Sequence, residues 1–242
     1  MRPAWACIGE RLRPSGPRSG IRLTKVGQVG DTGRVYRGLS EPERRAERRA
    51  RLLTAGLTLF GTVGWDETTI ERICADAQVS TRYFYIEFAD REALMAAVYE
   101  RAAFEGQSVG FAHLQRTELT MAERTAAGIA AYVRHVTDDP RRARVVHAES
   151  RRVASLGPVR ARVLTRFLVE MSKGGLVERL VGDPAALRVL GQAVQGAVSE
   201  VLIHWVTSPE PRPPVEPMAL ELGRMVASAL PFADAATPAA HP

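Results

Sequence analysis

Residues 69–88 read TIERICADAQVSTRYFYIEF, and this stretch decides the fold. Ile70, Ile73 and Ala77 recur at the three- and four-residue spacing that puts them on one side of a helix, with Glu71, Arg72 and Asp76 on the other. The pattern predicts a short amphipathic helix that breaks at Gln78-Val79. Ser80 then stands where an N-cap belongs, because its hydroxyl can accept from a free backbone N–H two or three residues on. A second helix is predicted to begin at once. Thr81, Arg82, Tyr83 and Tyr85 crowd its front, hydrogen-bonding side chains of the kind that reach base edges and phosphates, while Phe84 and Phe88 are its expected inward anchors. Together they describe a helix-turn-helix able to enter a DNA major groove.

The flanks are helical too. A first helix is predicted from about Glu41 to Val63, with Ser40 as N-cap, Pro42 in the first turn and Glu43 at the capping-box position. Asp90 can cap a fourth helix that continues through Leu94, Met95, Val98 and Tyr99 towards Phe104. Beyond Gly106 no segment shows clean period-two alternation bounded by turn signals. Thr120–Thr137 carries Met121, Thr125, Ile129 and Tyr132-Val133 as a stripe; Asp138-Asp139-Pro140 ends it and caps a helix from Arg141 to about Ser150. A long helix is expected over Val159–Val181. Another runs from Pro184 through Leu187, Leu190, Val194, Val198, Leu202 and Trp205 to the proline-rich stop at 208–214, and a last one spans about Val215–Leu230.

Leu53, Leu57 and Phe60, then Gly64-Trp65, Thr69-Ile70, Ile73, Ala77, Val79-Ser80, Tyr85, Phe88, a basic residue at Arg91 and Leu94 follow one another in an ordered pattern. In these features residues 44–100 resemble the DNA-binding domain of the TetR (tetracycline-repressor-like) family of bacterial regulators. Two positions depart from the family pattern: Gln78 stands where Gly is usual in the turn, and Arg91 where Lys is usual. Gln78 must tolerate any left-handed backbone there, whereas Arg91 keeps the positive charge.

The resemblance implies an all-α fold, with a three-helix helix-turn-helix DNA-binding domain over residues 41–100 (motif 69–88) and a helical-bundle ligand-binding and dimerisation domain over 101–232. Disordered segments are expected at 1–40 and 233–242. It implies a cytoplasmic homodimer on a palindromic operator in double-stranded DNA, a repressor released by a small-molecule ligand of unknown identity. Thr69, Tyr85 and Arg91 should hold phosphates; Thr81, Arg82 and Tyr83 should face bases; Ser80 and Arg48 complete the DNA-contact set. Pairing of the last two helices with their twofold mates, through Leu190, Val194, Val198, Leu202, Leu222 and Val226, would set the recognition helices roughly 34–36 Å apart, with the fourth helix as lever. Tyr132, Phe167, Met171 and Trp205 are candidates to line a ligand cavity, with core packing the stronger reading of each. Alternatives are a ligand-independent regulator or an activator, or an all-helical enzyme or binding protein that contains a helix-turn-helix-shaped segment.

Composition agrees and narrows the field. At 242 residues and 45% hydrophobic, the chain can bury one sizeable core or two modest ones. Arg or Glu interrupts every apolar run before the roughly 20 residues of a membrane-spanning helix, so no membrane association is expected. The N-terminus lacks the apolar core of a signal peptide. Cys7 and Cys74 are too few for a disulfide framework, and Cys74 reads as a buried structural thiol.

The net charge of +6 is uneven: residues 1–40 hold eight basic against two acidic residues, while residues 41–95 hold eight arginines against ten acids. Attraction to DNA must therefore come from placement, through the first-helix run Arg44, Arg45, Arg48, Arg49 and Arg51, with Arg82 and Arg91 around the recognition helix. The interleaved Glu41, Glu43 and Glu47 predict that some of these arginines pair internally. Residues 1–40 read either as a basic arm that adds phosphate contacts or as an upstream extension from a misassigned start.

No catalytic, cofactor or metal site is expected. His113, His135, His147, His204 and His241 stand in no HxxxH, HExxH or Cys-flanked arrangement. The glycine cluster GLTLFGTVG lacks the Lys-Ser/Thr of a P-loop and reads as a helix ending. Ser150 and Ser155 lie near His147 and Glu149 in sequence, which makes no triad without an oriented base and an oxyanion hole.

Overall fold

The structure, a computed structural model, describes residues 40–173 and 183–230. The expectations for 1–39 and 233–242 lie outside the described residues. The described residues form helices α1 (Glu41–Thr62), α2 (Ile70–Ala77), α3 (Thr81–Glu87), α4 (Arg91–Ala112), α5 (Met121–Asp138), α6 (Pro140–Ala143), α7 (Gly157–Lys173), α8 (Pro184–Thr207) and α9 (Val215–Ala229), with no strand among them.

Local chemistry starts the helices at capping side chains, with the expected caps at Ser40 and Asp90 formed. The Ser40 hydroxyl accepts from Glu43 N–H while the Glu43 carboxylate accepts from Ser40 N–H at 2.7 Å, a complete capping box. Thr120 and Glu123 repeat it at α5. Asp90 accepts from Ala93 N–H at 2.7 Å to open α4, and Asp183 accepts from Ala185 and Ala186 N–H to open α8.

α1–α3 close around Leu52, Phe60, Ile73, Ala77, Phe84 and Phe88, and α4 completes that core with Leu94, Met95 and Val98. Full burial of each large apolar side chain contributes about 1.5–3 kcal/mol. Gly56 lets α1 approach α4 closely, because a Cβ there would lie 2.9 Å from Val98 Cγ2. A second core gathers Val133, Val136, Met171, Val198, Leu202, Trp205, Leu222 and Val226 from α5, α7, α8 and α9.

One predicted helix is replaced. Residues 141–150 do not continue as a single α-helix: α6 is one turn, residues 144–148 widen into a π-helical turn, and residues 149–152 and 154–156 tighten into 3₁₀ turns. The changes of pitch bury Val145, His147, Glu149 and Ser150 on one short segment, which an unbroken 3.6-residue period would spread around the helix. The expected helix over 159–181 is α7 as far as Lys173; its remainder lies outside the described residues.

Candidate nucleic-acid interface and ligand cavity

The turn between α2 and α3 is made by Gln78, whose φ of 51° and ψ of 44° are left-handed. The usual glycine is absent, and the glutamine takes the strained conformation. Ser80 occupies the N-cap position of α3 with extended backbone, but its hydroxyl makes no cap bond, contrary to expectation. The cap is instead closed by its carbonyl, which accepts from Tyr83 and Phe84 N–H at 2.9 and 3.0 Å. Ser80 is exposed at the front of the helix.

Phe84 and Phe88 are buried and stack at 5.9 Å between ring centroids, fixing the inner side of α3. Thr81, Arg82, Tyr83, Tyr85 and Ile86 stand exposed on the outer side, Tyr85 at 56%. Arg82 makes no hydrogen bond or ion pair among the described residues. Thr69, the N-cap of α2, accepts from Arg72 N–H at 3.3 Å and remains exposed.

Two of the expected DNA contacts, Arg48 and Arg91, have partners within the chain. Arg48 is only 13% exposed at its side chain: it pairs with Glu41 at 2.9 Å and lies over the Tyr83 ring at 4.4 Å, so it props the tyrosine from behind. Arg91 folds inward over the Trp65 ring at 3.8 Å and donates from Nη1 to the Trp65 and Thr68 carbonyls. It fastens the start of α4 to the turn that precedes the motif. Arg45 and Arg49 converge on Glu87, and Arg44 pairs with Glu41. Glu41 and Glu87 thus neutralise much of that run, while Glu43 is taken up by the cap of α1. Cys74 is buried, which pushes its thiol up, with the Thr81 hydroxyl as its hydrogen-bond neighbour.

The same turn is gripped from the other side by Glu149, whose side chain is 8% exposed. Its carboxylate accepts from Trp65 N–H at 2.8 Å and from Arg144 Nε at 3.1 Å, and Arg144 Nη1 donates to the Thr62 carbonyl at 2.6 Å. Gly64, at φ 94°, lies against this carboxylate; a side chain there would be strained in its backbone and crowded. Gly61 lets the end of α1 touch Arg141, whose Cβ, Cα and carbonyl oxygen lie 2.5–3.0 Å from where a Cβ would stand. The irregular segment 144–152 is therefore fitted directly onto the turn that orients α2.

A cavity of about 110 Å³ lies where the two cores meet, with Tyr99, Ala103 and Val163 of the first core in its wall. Tyr132, Phe167 and Met171 line it, together with Phe111, Val194, Val198, Val226 and Leu230. Trp205 does not. Its indole N–H donates to the Pro213 carbonyl at 2.9 Å with Arg212 stacked on the ring, so it pins the loop between α8 and α9. His147, which stands in no metal-ligand spacing, is a buried histidine in the wall: one ring nitrogen bonds the Tyr132 hydroxyl at 2.8 Å and the other the Ser199 hydroxyl at 2.9 Å. Burial, and then the charge of Arg151, holds its pKa down at about 3, so the ring is neutral at physiological pH. Burial also lifts the Tyr132 phenol, and lifts Tyr99 to about 12. A lone histidine between valine and alanine carries no spacing signal that would have marked it.

The expected dimer residues turn inward. Val194, Val198, Leu202, Leu222 and Val226 are buried in the chain's own second core, with Leu190 packed against it. α8 is apolar on most sides, so its stripe fixes no outer face. The large apolar side chains that α8 and α9 do expose are Val189, at 66%, Leu220 and Met225. No described helix is long and apolar enough to cross a membrane.

The described residues thus combine a three-helix unit that carries a helix-turn-helix with a helical bundle that holds a largely apolar cavity. Residues 52–98 match the family of bacterial regulatory proteins, tetR family. Solved structures with the same fold include the fatty acid degradation regulator FadR of Bacillus halodurans, with TM-score 0.63, 14% identity, and coverage of 77% of this chain and 97% of that one. FadR of Bacillus subtilis, solved with stearoyl-CoA, has TM-score 0.63 and 16% identity over 75% of this chain and 98% of that one. A TetR family regulator from Marinobacter aquaeolei has TM-score 0.57 and 17% identity over 78% and 98%. No curated protein sequence matches. The chain carries a TetR-family helix-turn-helix domain and has the all-α fold of that family's regulators.

Proposed function

We propose that this chain is a homodimeric, sequence-specific DNA-binding transcriptional regulator, and that it is a cytoplasmic repressor released when a small molecule occupies the cavity. The observation that carries the reading is the outer side of α3: Arg82, without a hydrogen bond or ion pair among the described residues, and exposed Thr81, Tyr83 and Tyr85 on a helix whose inner side is anchored by Phe84 and Phe88. Folding gains little from leaving two tyrosines and Ile86 in water, whereas a major groove can use them. Arg82, Thr81 and Tyr83 read bases; Tyr85, Thr69 and the uncapped Ser80 hydroxyl hold phosphates. Arg48 and Arg91 reach phosphates only with the nitrogens their internal bonds leave over, so their larger contribution is to brace the head.

Residues 41–100 form the DNA-binding part and 101–232 the part that binds ligand and partner. Because the earlier dimer candidates are buried, the partner's surface is the exposed side of α8 and α9 around Val189, Leu220 and Met225. Ligand and DNA are coupled at two places. α4 lines the cavity through Tyr99, Ala103, Gln107, Gly110 and Phe111 and grips the motif turn through Arg91. The segment 144–152 walls the cavity with His147 and holds Trp65 N–H with Glu149. A ligand that favours a shifted arrangement of either element moves the reading heads off their roughly 34–36 Å spacing, by no more than its difference in affinity for the two states allows.

A gel shift at low salt on DNA flanking the chain's own gene tests the reading. Arg82→Ala should relax preference at particular base pairs, by about 1–3 kcal/mol where it contacts two base atoms, and Tyr85→Ala should weaken binding to every sequence. Absence of any shift, or an unchanged base preference in Arg82→Ala, would overturn it.

A further inference from the structure

We infer that Glu87 limits sequence-independent binding to DNA: it holds Arg45 and Arg49 of α1 against the end of α3 and so withholds them from phosphates. The inference rests on the DNA-binding reading above and deepens it.

One carboxylate here serves two guanidinium groups. Glu87 is the last residue of α3, and its side chain is only 2% exposed. Arg45 Nε donates to its Oε1 at 3.0 Å. Arg49 Nη1 stands 3.8 Å from its Oε2 and donates to its backbone carbonyl at 3.2 Å, with the guanidinium over the Phe88 ring at 4.4 Å. Two basic residues beside the recognition helix are thereby tied to that helix. Phosphates along a groove entered by α3 would compete for them.

The burial of the carboxylate decides that competition. Stripping a buried carboxylate of its cationic partners leaves a charge without water or counterion, which is strongly destabilising, whereas an arginine at the surface gains little by exchanging one anion for another. Glu41 offers the contrast. It pairs with Arg44 and Arg48 but is itself exposed, so water can replace an arginine that leaves it. Glu87 has no such substitute, and Arg45 and Arg49 stay with it when DNA arrives. With Glu87 between them they present one net positive charge rather than two, and fewer counterions are released on binding.

Fluorescence anisotropy of the full-length chain on a random-sequence duplex, between about 50 and 200 mM salt, reads this without any operator. Glu87→Gln keeps the shape of the side chain and uncovers one charge per head. The plot of log K against log salt should steepen by about 0.9 for each head that touches the duplex, which makes the variant's advantage about 3-fold larger per head at the lower salt than at the higher. Adding Arg45→Gln and Arg49→Gln to Glu87→Gln should abolish the gain. Glu216→Gln, the same change of charge on α9 where Glu216 pairs with Arg134, should leave the slope as in wild type. Circular dichroism checks each fold. A second measurement needs no change at Glu87 and decides where Glu87→Gln does not fold: in the wild-type chain the Arg45 Nε–H resonance, assigned by its loss in Arg45→Gln, should not shift when the duplex is added.

A Glu87→Gln slope no steeper than wild type, a gain that survives loss of both arginines, an equal gain in Glu216→Gln, or an Arg45 resonance that moves on adding DNA would each overturn the inference. Where wild type binds the duplex, those results leave the regulator reading standing. If neither wild type nor Glu87→Gln binds the duplex or the DNA flanking the gene at low salt, the two fall together.

Discussion

Glu149 is the single side chain whose loss should most loosen the seat of the reading head. Its buried carboxylate takes the Trp65 N–H at 2.8 Å and Arg144 at 3.1 Å, while Arg152 stands at 3.9 Å. A hydrogen bond to a buried charged group is worth about 1.5–3 kcal/mol, and the Trp65 bond, wholly buried, takes the full value. Arg144 is 36% exposed and keeps the Thr62 carbonyl, so its share is cut by solvent screening to about 0.5–1 kcal/mol. The exposed Arg152 contact adds little. Glu149→Ala should therefore cost about 2–4 kcal/mol, and Glu149→Gln about 1, because an amide oxygen can still accept from Trp65 N–H. Urea unfolding followed by circular dichroism at pH 7 reads this as a midpoint lowered by about 1–2 M for the alanine variant at an unchanged slope. An alanine variant within about 0.5 kcal/mol of wild type, the spread of an ordinary surface change, would refute the reasoning. So would a glutamine variant as costly as the alanine.

Gln78→Gly should stabilise the chain by about 0.5–1 kcal/mol: it relieves a left-handed residue at φ 51°, a cost of about 1–2 kcal/mol, against the extra freedom glycine brings to the unfolded chain; a lower urea midpoint would count against the strain. His147 bears on pH. The unfolded chain takes up its proton below the ordinary 6.5, whereas burial delays the folded chain until about 3, so stability falls as pH drops through that window at about 1.4 kcal/mol per unit. His147→Gln should therefore lose about 2 kcal/mol less than wild type between pH 7 and 5, and parallel pH profiles for the two would refute the assignment.

Of the candidate DNA interface, the part legible in sequence was the part built from near neighbours. Thr81, Arg82, Tyr83 and Tyr85 stand exposed because Phe84 and Phe88 claim the inner side, a relation contained within eight residues. Arg48 and Arg91 were not legible in the same way. Their charge suits a phosphate equally well whether they point outward or, as here, lie over Tyr83 and Trp65. Trp205 and the α8 stripe turned out otherwise for the same reason: apolar residues announce burial but not which neighbour buries them.

The sequence by itself determined where helices begin and which class of fold they make. Capping at Ser40, Thr69, Asp90, Thr120, Asp139 and Asp183, and the apolar spacing of 69–88, act over three or four residues and so survive without knowledge of the rest of the chain. Only the tertiary structure decided that 144–152 abandons α-helical pitch, that Glu149 reaches back across 84 residues to Trp65, and that His147 and Gln107 share a cavity wall. It also turned Val194, Val198 and Val226 into that cavity. These outcomes depend on which surfaces meet. A helix that is apolar on most sides, or a buried carboxylate that needs a distant N–H, has its energy set by the partner it finds in space.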